Sequence, residues 1–150
     1  MSIRLSNTQG FTLIEIISVL AMIGILSAIV LSFNVTTDSV ELSKETDIVR
    51  THLRYARYMA LSNDAYSWGI QFSANSYTFF KQPGGLITPV ILPGESSDIR
   101  HLPPGISITS VTITFDEKGS AGISDQIVQL SDGSGRVENI TITQKTGFIK

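Results

Sequence analysis

One carboxylate, Glu15, stands inside a long apolar run near the start of this chain. Gly10, Phe11, Thr12, Leu13 and Ile14 lead into it, and residues 16–33 that follow are 18 uncharged positions. An ionisable group in a membrane span costs roughly 2.5–3.5 kcal/mol on insertion scales, so its presence marks a pairing role. The uncharged stretch alone makes about 27 Å of helix. With residues 11–15 added it reaches across a hydrocarbon core of roughly 30 Å. In a dry environment an unpaired carboxylate is expensive, and an ammonium beside it recovers much of that cost. Glu15 therefore asks for a cationic partner.

Other side chains with chemical potential are sparse. The two histidines, His52 and His101, stand apart, the first on a helical pattern and the second before a Leu-Pro-Pro turn. Neither has the neighbours of a general base. Ser131, Asp132, Gly133, Ser134 and Gly135 contain a nucleophile type and an acid, yet lack a strand-turn-helix frame and the ligand set of a calcium loop, and read as a turn. No cysteine is present, which removes thiol chemistry, disulfides and cysteine-based metal sites. No phosphate-binding loop or zinc spacing occurs. The expectation is no enzyme, no cofactor and no metal. Arg50, Arg54 and Arg57, at i, i+4 and i+7, would form a cationic stripe on a helix. Such a stripe contacts either phosphates or nearby acids such as Asp47 and Glu45.

The elements that would position these groups follow from periodicity. Leu42, Val49, Leu53, Ala56 and Ala60 recur at helical spacing, so residues 41–62 form an amphipathic helix. Between it and the apolar run, residues 34–38 hold no Pro or Gly. One helix is thus predicted from near Phe11 to near Ser62. From Tyr66 the period changes to two: Trp68, Ile70 and Phe72, then residues 77–81, make a hairpin around Ala74, Asn75 and Ser76. Residues 83–93 form a loop rich in Gly and Pro. Further strands are expected at 106–108, 111–115, 127–130 and 137–143, with a short end at 148–149, and turns at 116–119 and 131–135. The fold class is α+β: a long N-terminal helix, its first half membrane-spanning and its second half amphipathic, packed on an antiparallel β-sheet domain of six or seven strands. Trp68 should pack on the helix, and of Phe79 and Phe80 one should face inward while the other could face a partner.

Residues 1–9 are short and polar, with Arg4 as their only charge, and no small-x-small cleavage site follows the apolar run. That argues against a secretory signal peptide. The block from Gly10 to Glu15 with its apolar helix instead resembles the class III signal of type IV pilins and type II secretion pseudopilins. The resemblance implies that a membrane prepilin peptidase cuts between Gly10 and Phe11, that Phe11 is N-methylated, and that Glu15 neutralises the Phe11 amine of a neighbouring subunit during assembly. The segments would be a leader at 1–10, a membrane and filament-core helix at 11–33, its amphipathic continuation at 34–63 and a β-rich periplasmic domain at 64–150.

The second half narrows the resemblance. The run Leu53, Arg54, Tyr55, Ala56, Arg57, Tyr58, Met59, Ala60, then Asn63 and the strand opening at Trp68, is similar to the H-type pseudopilin and FimT-type minor pilin group. So are the turns after Leu102 and Phe115. Ser32 stands where major pilins carry a Pro, and the cysteine loop of major pilins is missing, so a minor subunit is implied.

The implied partners are prepilin peptidase, other pilins or pseudopilins, an inner-membrane assembly platform and membrane lipid. The implied location is the bacterial inner membrane, single-pass, with the C-terminal domain periplasmic and incorporated into a filament. Two alternatives stand beside this: an unprocessed membrane-anchored binding domain, and a DNA-binding minor pilin. For the latter, contacts would come from Arg50, Arg54, Arg57, Lys145 and Lys150. Gly147 fits the Gly-Arg tail motif of DNA-binding relatives, but Phe148 replaces its arginine. Composition gives no global help, since net charge is −2 and the pI is about 5.6. The loop at 84–94 is expected to face a partner.

Overall fold

The computed structural model describes residues 11–62 and 65–150, except for the side chains of 28–39. The chain divides into two compact units, Met1–Thr37 and Asp38–Lys150. A single helix, α1 (Leu13–Ser62), runs through 50 residues. No proline interrupts it, and its first turn carries Glu15, where the positive end of the helix dipole favours an acid.

Within the first unit, the described side chains from Phe11 to Ser27 are exposed. The hydroxyls in this stretch bond within the helix: Ser18 Oγ donates to the Ile14 carbonyl at 2.8 Å and Ser27 Oγ to the Ile23 carbonyl at 2.7 Å. Such back-bonding lets serine sit in an apolar run without a stranded donor. The expected span at 11–33 extends beyond Ser27, where the described side chains stop. Among the described residues, no helix is long and apolar enough to cross a membrane.

The second unit holds the sheets. β1 (Ser67–Ser73) and β2 (Ser76–Gln82) form an antiparallel hairpin in register Ile70↔Phe79, closing at Ser73↔Ser76. A single 3-10 turn (Pro83–Gly85) leads to β3 (Thr88–Pro89), and β4 (Ile99–His101) follows. Both pair with β2, β3 at its Phe80–Lys81 end and β4 at Ser76, Tyr77 and Thr78. β6 (Thr112–Phe115) pairs with the other side of β1. A second sheet has the order β5-β7-β8, from β5 (Ser107–Ile108), β7 (Gln126–Ser131) and β8 (Val137–Ile142). A single bridge, Ile142↔Ile149, borders β8.

The α+β class holds, with a difference in strand number. The described residues contain eight strands where six or seven were expected, and they form two sheets. The unexpected strands β3 and β4 lie in and just after the Gly- and Pro-rich loop. They are two and three residues long, too short to show alternation. His101, expected on a loop, is an exposed residue of β4.

The helix stripe from Leu42 through Val49, Leu53 and Ala56 to Ala60 is buried as its spacing requires. It joins one cluster with Trp68, Ile70, Tyr77, Phe79, Ile113 and Phe115 from the first sheet and Val128, Leu130, Ile140 and Ile142 from the second. Trp68 stacks on Phe79, with ring centroids 5.3 Å apart.

Phe79 and Phe80 are both buried, so neither is left to face a partner. The reason lies across the hairpin. Phe80 pairs with Gly69, and a Cβ on Gly69 would overlap the Ile113 carbonyl oxygen and lie 2.7 Å from Phe80 Cζ. Glycine leaves that space for the ring, so the opposite face of the sheet has a buried aromatic of its own.

Candidate functional site

The N-terminal constellation is Gly10, Phe11 and Glu15. Gly10 lies outside the described residues. Phe11 is 80% exposed, and Glu15 is exposed in the first turn of α1. The Glu15 amide donates to the Thr12 carbonyl at 3.1 Å, so the backbone here is already helical. Its carboxylate makes no hydrogen bond or ion pair among the described residues, in a stretch where Ser18 and Ser27 are satisfied. Chemically this is an acid held at a fixed place on an apolar helix, open to a cation from outside.

The arginine stripe is largely occupied. Arg50 pairs with Asp47 one turn earlier, the local partner foreseen for it. Arg57 donates from Nε to the Thr146 carbonyl at 3.0 Å, tying α1 to the C-terminal turn. Arg54 is exposed and makes no such contact among the described residues. Glu45, the other foreseen partner, is engaged elsewhere. Lys145 and Lys150 are exposed. Gly147 has a structural reason to be glycine: its φ is +60°, and a Cβ would overlap the Gly119 carbonyl oxygen.

A polar cluster that sequence reading missed lies behind the stripe. Glu45, only 3% exposed, sits on the buried face of α1. Arg100 of β4 holds it through both terminal nitrogens, Nη1 to Oε1 and Nη2 to Oε2 at 3.3 Å. Arg100 Nε donates to Glu95 at 2.8 Å, and Nη1 also donates to the Tyr77 hydroxyl at 2.9 Å. The guanidinium lies over the Tyr77 ring. The Tyr77 hydroxyl in turn lies 2.7 Å from His52 Nδ1.

Burial opposes each charge that would form here. It pushes the Tyr77 phenol well up and pulls His52 below its ordinary value, with Arg100 lowering His52 further. Burial also weighs against the Arg100 cation, but hydrogen bonds and charge from Glu45 and Tyr77 outweigh it and the guanidinium is held firmly protonated. One signal for this cluster was present in sequence: Glu45 falls three residues after Leu42 and four before Val49, squarely on the apolar stripe.

The loop at 131–135 is a turn joining β7 to β8. Asp132 Oδ1 accepts from the Ser134 amide at 2.9 Å, the Ser134 hydroxyl at 2.7 Å and the Arg136 amide at 3.0 Å. The Ser134 hydroxyl, aided by those amides and by Arg136, holds the Asp132 carboxyl below its ordinary value. Among the described residues, no group of three or more His, Cys, Asp or Glu is placed to hold a metal.

Comparison with known proteins fits both halves of this picture. Residues 5–31 match the family described as the prokaryotic N-terminal methylation motif. No curated protein matches the chain. Among solved structures, the minor pseudopilin EpsH from the type 2 secretion system of Vibrio cholerae is similar, with a TM-score of 0.58 at 10% identity. The match covers 73% of this chain and 94% of that one. At that identity the likeness is one of fold. The chain thus carries the prokaryotic N-terminal methylation motif ahead of a pilin-like α+β fold, the fold of a minor pseudopilin.

Proposed function

We propose that the chain is a minor pilin or pseudopilin, a structural subunit rather than a catalyst. In this reading prepilin peptidase cuts between Gly10 and Phe11, and Phe11 is N-methylated. The mature chain then enters a type II secretion pseudopilus or a type IV pilus through its N-terminal helix. The observation that carries the reading is the methylation motif at residues 5–31. The exposed Glu15 carboxylate, unpaired among the described residues, supports it, since a docked subunit's Phe11 amine is the cation it lacks. The apolar helix at 11–33 is the inner-membrane anchor before assembly, 34–63 its amphipathic continuation, and 64–150 the β-rich periplasmic domain. Other pilins or pseudopilins and the assembly platform are the partners.

The test is the mass of the mature protein from cells with and without prepilin peptidase. Loss of the first ten residues, with a methyl group on Phe11, is expected only when the peptidase is present. An unshortened chain in both strains would return the protein to a plain anchored domain. Crosslinking from Thr51, an exposed position on α1, then separates the two machines by which subunits are recovered.

A further inference from the structure

The cluster around Arg100 has a polarity that runs in one direction. Arg100 has only donors, so the Tyr77 hydroxyl must accept from it. The hydroxyl's own proton is then left to go to His52, which requires Nδ1 to be bare and the imidazole neutral, with its proton on Nε2. Tyr77 is 1% exposed, so no water stands in if this bond is lost. The same pair of residues is also a rung of the ladder, because Tyr77 and Arg100 face each other where β4 meets β2. β4 itself has only three paired residues.

From these observations we propose that His52, Tyr77 and Arg100 form a proton-sensitive latch, which holds β4 to α1 at neutral pH and loosens it when His52 is protonated. Adding a proton to Nδ1 turns an acceptor into a donor and leaves the Tyr77 O–H without a partner. It also places a second cation next to Arg100. The groups facing His52 are Tyr77 on β2, Arg100 on β4, Glu95 in the preceding loop and Glu45 on α1 itself. The two carboxylates attract a proton to His52, and burial together with Arg100 repels it. The repulsion wins, and His52 titrates below its ordinary value of 6.5.

The sign follows. The open or unfolded chain takes up the proton more readily than the closed one, so the closed state has its full stability above pH 6.5. That stability is lost as the pH falls through the lower value of the closed state. What moves is β4 with the segment before it, which carry the exposed Ile91 and Ile99. The latch would let an acid environment reposition that apolar edge without unfolding the core.

Hydrogen exchange of the full chain in detergent micelles, corrected for intrinsic rates, tests this at pH 7.5 and pH 5. Amides at 99–102 should lose protection in acid, while those of β7 and β8 keep theirs. His52→Asn places an amide oxygen where Nδ1 was and does not titrate. It should match the wild type at pH 7.5 and keep its protection at pH 5. His101→Asn, on the same strand, should leave the acid response intact. Nitrogen chemical shifts of His52 give a check that needs no variant, since Nδ1 should be unprotonated at neutral pH. Protection that does not change with pH, a response that survives His52→Asn or disappears with His101→Asn, or an Nδ1-protonated tautomer at neutral pH would each overturn the latch.

Discussion

Arg100 and Glu45, 55 residues apart in sequence, meet on the buried side of α1 with both guanidinium ends on one carboxylate. The pair fixes an edge strand of three residues to the helix, a task for which β4's own ladder is short.

Breaking this pair from one side should be costly. Glu45→Ala leaves a mostly buried guanidinium with only Glu95 and Tyr77, and a loss of about 3 kcal/mol or more is expected. Replacing both partners by methionine should cost less than either single change, because no charge is then stranded. Urea unfolding of the three variants measures this, and a double variant worse than both singles would contradict it.

Gly69→Ala should be among the most damaging single-methyl changes in the domain. The added carbon meets the Ile113 carbonyl as well as the Phe80 ring, and overpacking of this kind costs about 1–3 kcal/mol or more. Adding Phe80→Ala should not restore stability, since the carbonyl remains and a cavity is added. Thermal unfolding midpoints of the single and double variants decide the matter.

The arginines of the stripe should separate by position. Arg57→Ala loses the bond to the Thr146 carbonyl and should cost about 1 kcal/mol. Arg54→Ala should stay within about 0.5 kcal/mol of the wild type. Proteolysis of the C-terminal turn, measured alongside, should rise for Arg57→Ala alone.

The N-terminal residues are tested in cells. Gly10→Asp should abolish the peptidase-dependent shortening altogether. Glu15→Ala should be cut normally, then be poorly methylated and accumulate in the membrane instead of the filament. Normal incorporation of Glu15→Ala would remove its pairing role.

Much of the fold is legible in the sequence because two kinds of pattern are strong. The stripe at Leu42, Val49, Leu53, Ala56 and Ala60 names its own buried face, and the alternation at Trp68, Ile70 and Phe72 names a strand. The motif around Gly10 and Glu15 is local, so neighbours in sequence carry it. What stays hidden depends on contacts between distant residues. Nothing near Arg100 reveals that its partner is Glu45, and β3 and β4 are held by β2 rather than by any propensity of their own. Phe80 is buried along with Phe79 because an absent side chain on another strand makes room for it.

The order in which the chain is made adds one consequence of the sheet topology. Trp68 and Ile70 pair on one side with the hairpin partner that follows at once, and on the other with β6 at 112–115. The two longer strands of the second sheet come later still, since β7 begins at Gln126. Through much of synthesis, the apolar stripe of α1 and the inner face of β1 are therefore complete while their covering strands do not yet exist. A chain built this way needs shelter for that apolar face until its last strands have been made.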